Sequence, residues 1–468
     1  MRGSDFVEPH EVTDRAQARA NEQSNQADAR RIIVMRGLRS FAYGLLAVLL
    51  GVVLSRAGLS PAAIGTIVTV SLVGDFFSTY LIGLFADRWG RRRTLVLLAL
   101  LMAGTGVVFG LTSVYPVLLL AAFFGTLGTS ASETAPFLPL EQAMLAQTAA
   151  LEWRTALFAR YNLVASFAGA LGALLAGLPD LLTRVGVPEA IGIRLAFGGY
   201  AAVALVVAAL ALRLSPVVET PAGAQQHQQH QEHLWLRLVP RLGRARGIVL
   251  RLTALFSVDA LAGGLVVQSL MALYFHLRFG VPLALLAALF FGANALSALS
   301  FLAAAPLARR IGLLNTMVFT HLPSNVLLVL VAFAPTFPLA AGLLLLRQLL
   351  SQMDVPTRQA YTMALVTPEA RTATASVTSL ARSAGSATSP IVSGLLLQGP
   401  LLLLGLPFIL AGTLKAAYDC SLWLLFRHTH LEEEQSRQAQ EPDRPEQSTH
   451  TQEDTARART DDERSTHG

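Results

Sequence analysis

Stretches of roughly 20 apolar residues recur along this chain, and no other feature narrows its folding options so far. The lipid interior has no water to satisfy exposed peptide groups, so segments of that length cross it as helices whose hydrogen bonds close internally. Spans are read at 33–54, 60–86, 94–112, 116–140, 155–178, 191–213, 249–275, 282–307, 314–334, 338–356, 373–397 and 401–427, which makes about twelve. The fold class that follows is an all-α polytopic membrane protein. Composition agrees, with 53% of the 468 residues hydrophobic and 14% charged. The formal charge of +6 is scattered over short loops between spans, which suits a membrane-topology signal and not a nucleic-acid surface. Cys420 is the only cysteine, so no intrachain disulfide forms, and Lys415 is the only lysine among 36 basic residues.

A polar stretch divides the chain near its middle, containing "AQQHQQHQEH" and then "RLVPRLGRARG". Five regions follow: a cytoplasmic tail at 1–32, a six-helix bundle at 33–214, a cytoplasmic linker at 215–247, a second six-helix bundle at 248–427 and a disordered cytoplasmic tail at 428–468. The polar residues through Ala29 precede a full-length span and read as its cytoplasmic flank, not a cleavable signal. His227, His230 and His233 read as part of a low-complexity tether, so no metal or other cofactor is assigned.

The halves resemble each other. A shift of 217 residues lays Pro139 on Pro356, Gln142 on Gln359, Glu152 on Glu369, Arg154 on Arg371, Thr155 on Thr372, Ser166 on Ser383 and Gly177 on Gly394. A shift of 222 lays Ala86, Arg88 and Gly90 on Ala308, Arg310 and Gly312. Such matches argue for an internal duplication, and six crossings per copy give two parallel repeats. Arginine then fixes the sides. Arg88, Arg91, Arg92, Arg93, Arg154, Arg160, Arg241, Arg244, Arg246, Arg309, Arg310, Arg358 and Arg371 fall on one face, against Arg56, Arg184, Arg194 and Arg278 on the other. The richer face is read as cytoplasmic, with both termini inside and the plasma membrane as the location.

Between the second and third spans, "GLFADRWGRRR" places Gly83, Asp87, Arg88, Gly90 and Arg91 in one short turn. This stretch resembles the G-x-L-A-D-R-x-G-R-[KR]-[KR] loop of the major facilitator superfamily and fills the pattern completely. The resemblance covers about residues 33–427 and implies that family's fold of two parallel six-helix repeats. It further implies that the loop is a latch holding the cytoplasmic side closed, which breaks as the halves rock. Gly90 suits a turn closed to residues with a Cβ, and Asp87 suits a helix N-terminus or a neighbouring arginine. Arg309 stands where the second copy would carry the acid, so that latch is weaker or differently paired. Glu152 with Arg154 and Glu369 with Arg371 resemble the family's other cytoplasmic pairs; partner exchange and a solvated surface pair are the two readings left open.

Ionisable residues inside spans are costly and mark pathways or pairs. The coupling or substrate candidates are Arg39, Asp75, Glu133, Asp259, Arg347 and Arg382, with Asp354 and Asp419 beside them. Asp75 and Asp259 lie nearest mid-span, where a carboxylate is suited to loading a proton; a fixed pairing with Arg39 or Arg382 is the competing reading. Asn294, Asn325, Gln268, Gln348 and His321 are further polar contacts within spans. Gly169, Gly172 and Gly177 loosely resemble the family's antiporter pattern, which Pro179-Asp180 leaves incomplete.

No nucleotide-binding glycine loop and no paired acid and base or metal-ligand set appears, so neither ATP drive nor an enzyme is indicated. The function read from the sequence is a secondary transporter, acting as a monomer on a small-molecule substrate, with protons as coupling ion and export of a small organic or drug-like compound as direction. Uptake of a polar solute by proton symport or uniport is the alternative, and a non-transporting receptor or scaffold stands behind both.

Overall fold

The computed structural model describes residues 9–129, 136–148, 151–219, 246–366, 371–400 and 404–427, with side chains from residue 24 onward except at 83–84, 87, 151–156, 363, 371–373 and 376. Every regular element among them is helical. The first half comprises α1 (Pro9–Arg56), α2 (Pro61–Trp89), α3 (Arg91–Leu111), α4 (Tyr115–Phe124), α5 (Phe137–Gln147), α6 (Leu151–Leu175), α7 (Leu178–Arg184) and α8 (Glu189–Leu212). A 3-10 turn, Pro216–Val218, follows. The second half comprises α9 (Arg246–Leu265), α10 (Gln268–Phe279), α11 (Leu283–Ile311), α12 (Leu313–Phe333), α13 (Phe337–Ser351), α14 (Asp354–Ala364), α15 (Arg371–Thr388), α16 (Pro390–Leu397) and α17 (Leu406–Phe426).

Among the described residues nine helical stretches are long and apolar enough to cross a membrane. The three further spans read from the sequence are those traced by α4 with α5, by α13 with α14 and by α15 with α16. Polar residues and helix breaks keep these below the threshold, and the path stays consistent with twelve crossings. The predicted tail at 1–32 is corrected in one respect: α1 begins at Pro9 and runs 48 residues without interruption. Residues 10–32 are rich in Ala, Arg, Gln and Glu and lack Gly and Pro, so nothing local stops the helix.

The breaks obey the duplication. Pro139 and Pro356, matched at a shift of 217, each lie in the first turn of the second piece of a split span, α5 and α14. Proline is tolerated there and would disrupt a continuous helix. Gly90 and Gly312 join α2 to α3 and α11 to α12 at φ 95° and 84°, a backbone region that glycine alone enters cheaply.

Small residues set the helix spacing. A Cβ added at Gly44 would lie 2.0 Å from the Gly169 carbonyl oxygen, and one at Gly172 would lie 1.9 Å from that of Phe41. The backbones of α1 and α6 thus touch, which is how helices associate where lipid is as apolar as their own side chains. Gly169 and Gly172 serve packing here.

The halves meet toward the end where α1 finishes. Gly177 sits against Ala284, and Gly394 against Gly65. The Ile391 amide donates to Thr69 Oγ1 at 2.8 Å. Asp180 accepts from Arg56 at 3.0 Å and from the Ala284 amide at 3.1 Å, so one carboxylate binds α1 to the N-terminus of α11. Further along, α5 packs on α1, α2 and α3, and α14 on α11, α12 and α15, each within its own half.

Candidate functional site

Two buried charge clusters lie inside the bundles, one per half. In the first, Arg39 on α1 donates through Nη2 to Glu141 Oε2 on α5 at 2.5 Å, with both side chains fully buried. Tyr161 on α6 donates to the same oxygen at 2.7 Å. The Phe137 ring lies 4.1 Å from the Arg39 guanidinium carbon, and Arg36 covers Tyr161 at 5.3 Å. Three helices therefore converge on one carboxylate.

The second cluster is larger. Asp259 on α9 accepts from Lys415 on α17 at 2.5 Å through Oδ1, and through Oδ2 from Arg382 on α15 at 3.0 Å and Arg358 on α14 at 3.2 Å. Arg358 also donates to Asp354 at 2.8 Å. One turn beyond Lys415, Asp419 faces His321 Nδ1 at 2.9 Å and accepts from Asn325 Nδ2 at 2.8 Å. Asp259, Asp354, Arg358, Lys415, Asp419 and His321 are all buried, while the Arg382 side chain is 31% exposed. Arg347 on α13 is buried, and its Nη1 donates to Gln348 Oε1 at 3.1 Å.

Such an array is chemically able to exchange partners. A carboxylate held by three cations keeps two of them when one leaves, and a cation losing that carboxylate is left to find another anion.

The sequence candidates distribute as follows. Arg39, Asp259 and Arg382 lie in the clusters, and Arg382 is the partner Asp259 takes. Arg39 pairs with Glu141 and not with Asp75, which is buried on α2 where Thr79 donates to its backbone carbonyl. Glu133 and Glu369 lie outside the described residues, as do the side chains of Gly83, Asp87, Glu152, Arg154 and Arg371. Arg358 is corrected: read as a loop arginine of the cytoplasmic face, it is buried between Asp259 and Asp354, because α14 turns it inward.

At the α2–α3 turn the acid on the helix N-terminus is Glu219, unforeseen from sequence. It accepts from the amides of Arg91 at 2.7 Å and Arg92 at 3.2 Å, a favoured place for negative charge. Arg92 donates to the Leu214 carbonyl at 3.2 Å, and Ser215 donates to Asp28 through its amide and hydroxyl. The first residues of the predicted linker are thus docked on the first bundle. Arg88 is exposed at the end of α2.

Glu141 and Lys415 were also missed. Lys415 had a signal, being the sole lysine and lying within an apolar span. Glu141 had one in the repeat, since a shift of 217 lays it on Arg358.

The sequence pattern of the Major Facilitator Superfamily matches residues 32–348. An uncharacterized membrane protein of Saccharomyces cerevisiae is 28% identical over 413 residues, covering 83% of this chain and 92% of that protein. Among solved structures, a point mutant of the nucleoside transporter NupG superposes with a TM-score of 0.66 at 14% identity, covering 85% of this chain and 99% of its own. A bacterial homolog of the human lysosomal transporter Spinster, inward-facing and unoccupied, gives 0.66 at 14%, covering 86% and 97%. The inward-open xylose transporter XylE of E. coli gives 0.65 at 14%, covering 88% and 99%.

Proposed function

The chain belongs to the major facilitator superfamily, and we propose that it moves a small polar solute across the plasma membrane by proton-coupled alternating access. It is a membrane transporter of small solutes and not an enzyme; coupling, polarity of the solute and direction are our reading. The observation that carries it is Asp259, a buried carboxylate shared by cations from three other helices, α14, α15 and α17. Protonating it releases those cations, and rocking of the halves, which makes and breaks the contacts at Asp180, Gly177 and Gly394, changes which side reaches it.

Buried charge also bears on the solute. Export of a drug-like compound suits a path with few polar groups; Arg358 and Lys415 add two charged side chains to the cluster around Asp259 and favour a polar solute taken up with protons. With both termini and the linker cytoplasmic, the contacts around Arg56 and Asp180 close the outer side, and the arrangement is inward-facing.

The test is counterflow and pH-gradient-driven uptake in proteoliposomes, with solutes chosen by comparing metabolite levels of a knockout and an overexpressing strain. Asp259→Asn is expected to lose gradient-driven accumulation while retaining exchange. Full accumulation by that variant removes Asp259 as the coupling site, and absence of exchange by the native protein removes the transport reading.

A further inference from the structure

The charges around Asp259 do not balance. Four cations, Arg347, Arg358, Arg382 and Lys415, stand against Asp259 and Asp354, while Asp419 is occupied by His321 and Asn325. Arg347 lies within electrostatic reach of Asp354 and Asp259. Among the described residues it makes no ion pair, and its buried Nε has no hydrogen-bond partner. A buried guanidinium left in this state is expensive. Arg382 is the one cation of the set with substantial exposure, at 31%. Its neighbourhood is rigid, because Ser389 Oγ donates to the Leu261 carbonyl at 2.6 Å and Gly264 brings α9 against the Ser386 carbonyl. Guanidinium groups present a planar fork that matches carboxylate or phosphate oxygens.

We propose that this cluster binds a small organic anion, a carboxylate or a phosphate ester, through Arg382, with Arg347 adding to the surplus of positive charge, and that Asp259 is the internal counter-ion the substrate replaces. The proposal rests on the transporter reading for its purpose and on charge and geometry for its content. Asp259 and the substrate anion compete for the same cations, chiefly Arg382. A proton delivered to the Asp259 carboxylate removes the competitor, so proton and anion bind together and each strengthens the other by the same factor. The transported unit is then anion plus proton, which is symport. Of the elements packed on α9, α15 contributes Arg382, α17 contributes Lys415, Tyr418 and Asp419, and α16 carries no titratable residue; Arg358 with Asp354 reaches in from α14, and His321 stands behind Asp419.

The experiment uses the full chain in lipid nanodiscs and four probes sharing one ring: benzoate, phenyl phosphate, benzamide and benzylammonium. Calorimetric titration is expected to detect benzoate or phenyl phosphate, separating the two anion classes, and neither the neutral nor the cationic probe. Anion affinity should rise as pH falls. Arg382→Gln should weaken it by about tenfold or more, with Arg382→Lys recovering part. Asp259→Asn should hold the affinity at its low-pH level at every pH, and a pH dependence that persists in Asp259→Asn overturns the role of Asp259. Failure of both anions to bind at millimolar concentration, equal binding of benzamide, or an unchanged Arg382→Gln overturns the site. Anion binding without exchange in proteoliposomes refutes transport and leaves the site standing; exchange of neutral solutes without anion binding does the reverse.

Discussion

Removing one member of the Arg39–Glu141 pair should cost far more than removing both. Each side chain is fully buried, and the pair meets at 2.5 Å with a second donor, Tyr161, on the same oxygen. Glu141→Gln strands a guanidinium beside the Phe137 ring, and Arg39→Gln strands a carboxylate; an uncompensated buried charge of this kind costs about 3–5 kcal/mol. Among the described residues Glu141 Oε1 and Arg39 Nε have no hydrogen-bond partner, so the native pair is incompletely compensated for its desolvation. Replacing both by apolar side chains of similar length, Arg39→Met with Glu141→Leu, therefore removes two ions that were costly to bury. Such replacements range from neutral to stabilising by about 1–4 kcal/mol. The double variant should thus be more stable than either single variant by roughly 3 kcal/mol or more. The assay is reversible unfolding of the purified protein in mixed detergent micelles with increasing dodecyl sulfate, arranged as a double-mutant cycle. Single variants that each lose less than about 1 kcal/mol, or a double variant whose loss equals their sum within about 0.5 kcal/mol, refute the reasoning.

Two further outcomes are expected. Gly172→Ala places a methyl group 1.9 Å from the Phe41 carbonyl oxygen, which belongs to backbone and cannot swing away; the variant should lose about 1–3 kcal/mol in the same unfolding assay, and unaltered stability would contradict the packing. With exposed Cys420 replaced by serine, a cysteine at Gln229 should react with an impermeant maleimide only in opened membranes, and labelling of intact cells would reverse the assigned orientation.

The all-helical membrane fold was legible because hydrophobic length is written in local sequence, and the nine long apolar stretches among the described residues are consistent with twelve crossings. So was the turn at Gly90, since one residue type satisfies its backbone. Partner choice was not legible. Arg39 had two candidate acids in view, Asp75 and Asp259, and the one it takes, Glu141, lies just beyond the span read at 116–140. The same holds for Arg358: its neighbours suggested a loop, whereas a break near Pro356 starts a new helix that carries it inward. Glu219 lies 128 residues from the amide of Arg91 that it accepts, a separation at which single-sequence reasoning has no purchase.

The repeat also explains why the two clusters differ. At equivalent positions the first half carries Glu141 and the second Arg358, so the bridge from the split span to the first span of each half has inverted polarity: carboxylate to Arg39, guanidinium to Asp259. The first bridge is sealed, with each charge limited to a single opposite partner among the described residues. The second is open, with its carboxylate shared by three cations and one of those partly exposed. A charge that takes part in a cycle must have somewhere to go when its partner leaves. Only the second bridge provides that, through Lys415, Arg382 and Asp354. The two halves thus carry a charged bridge of the same placement with both ends inverted in sign, and the lone lysine on α17 joins the second bridge only.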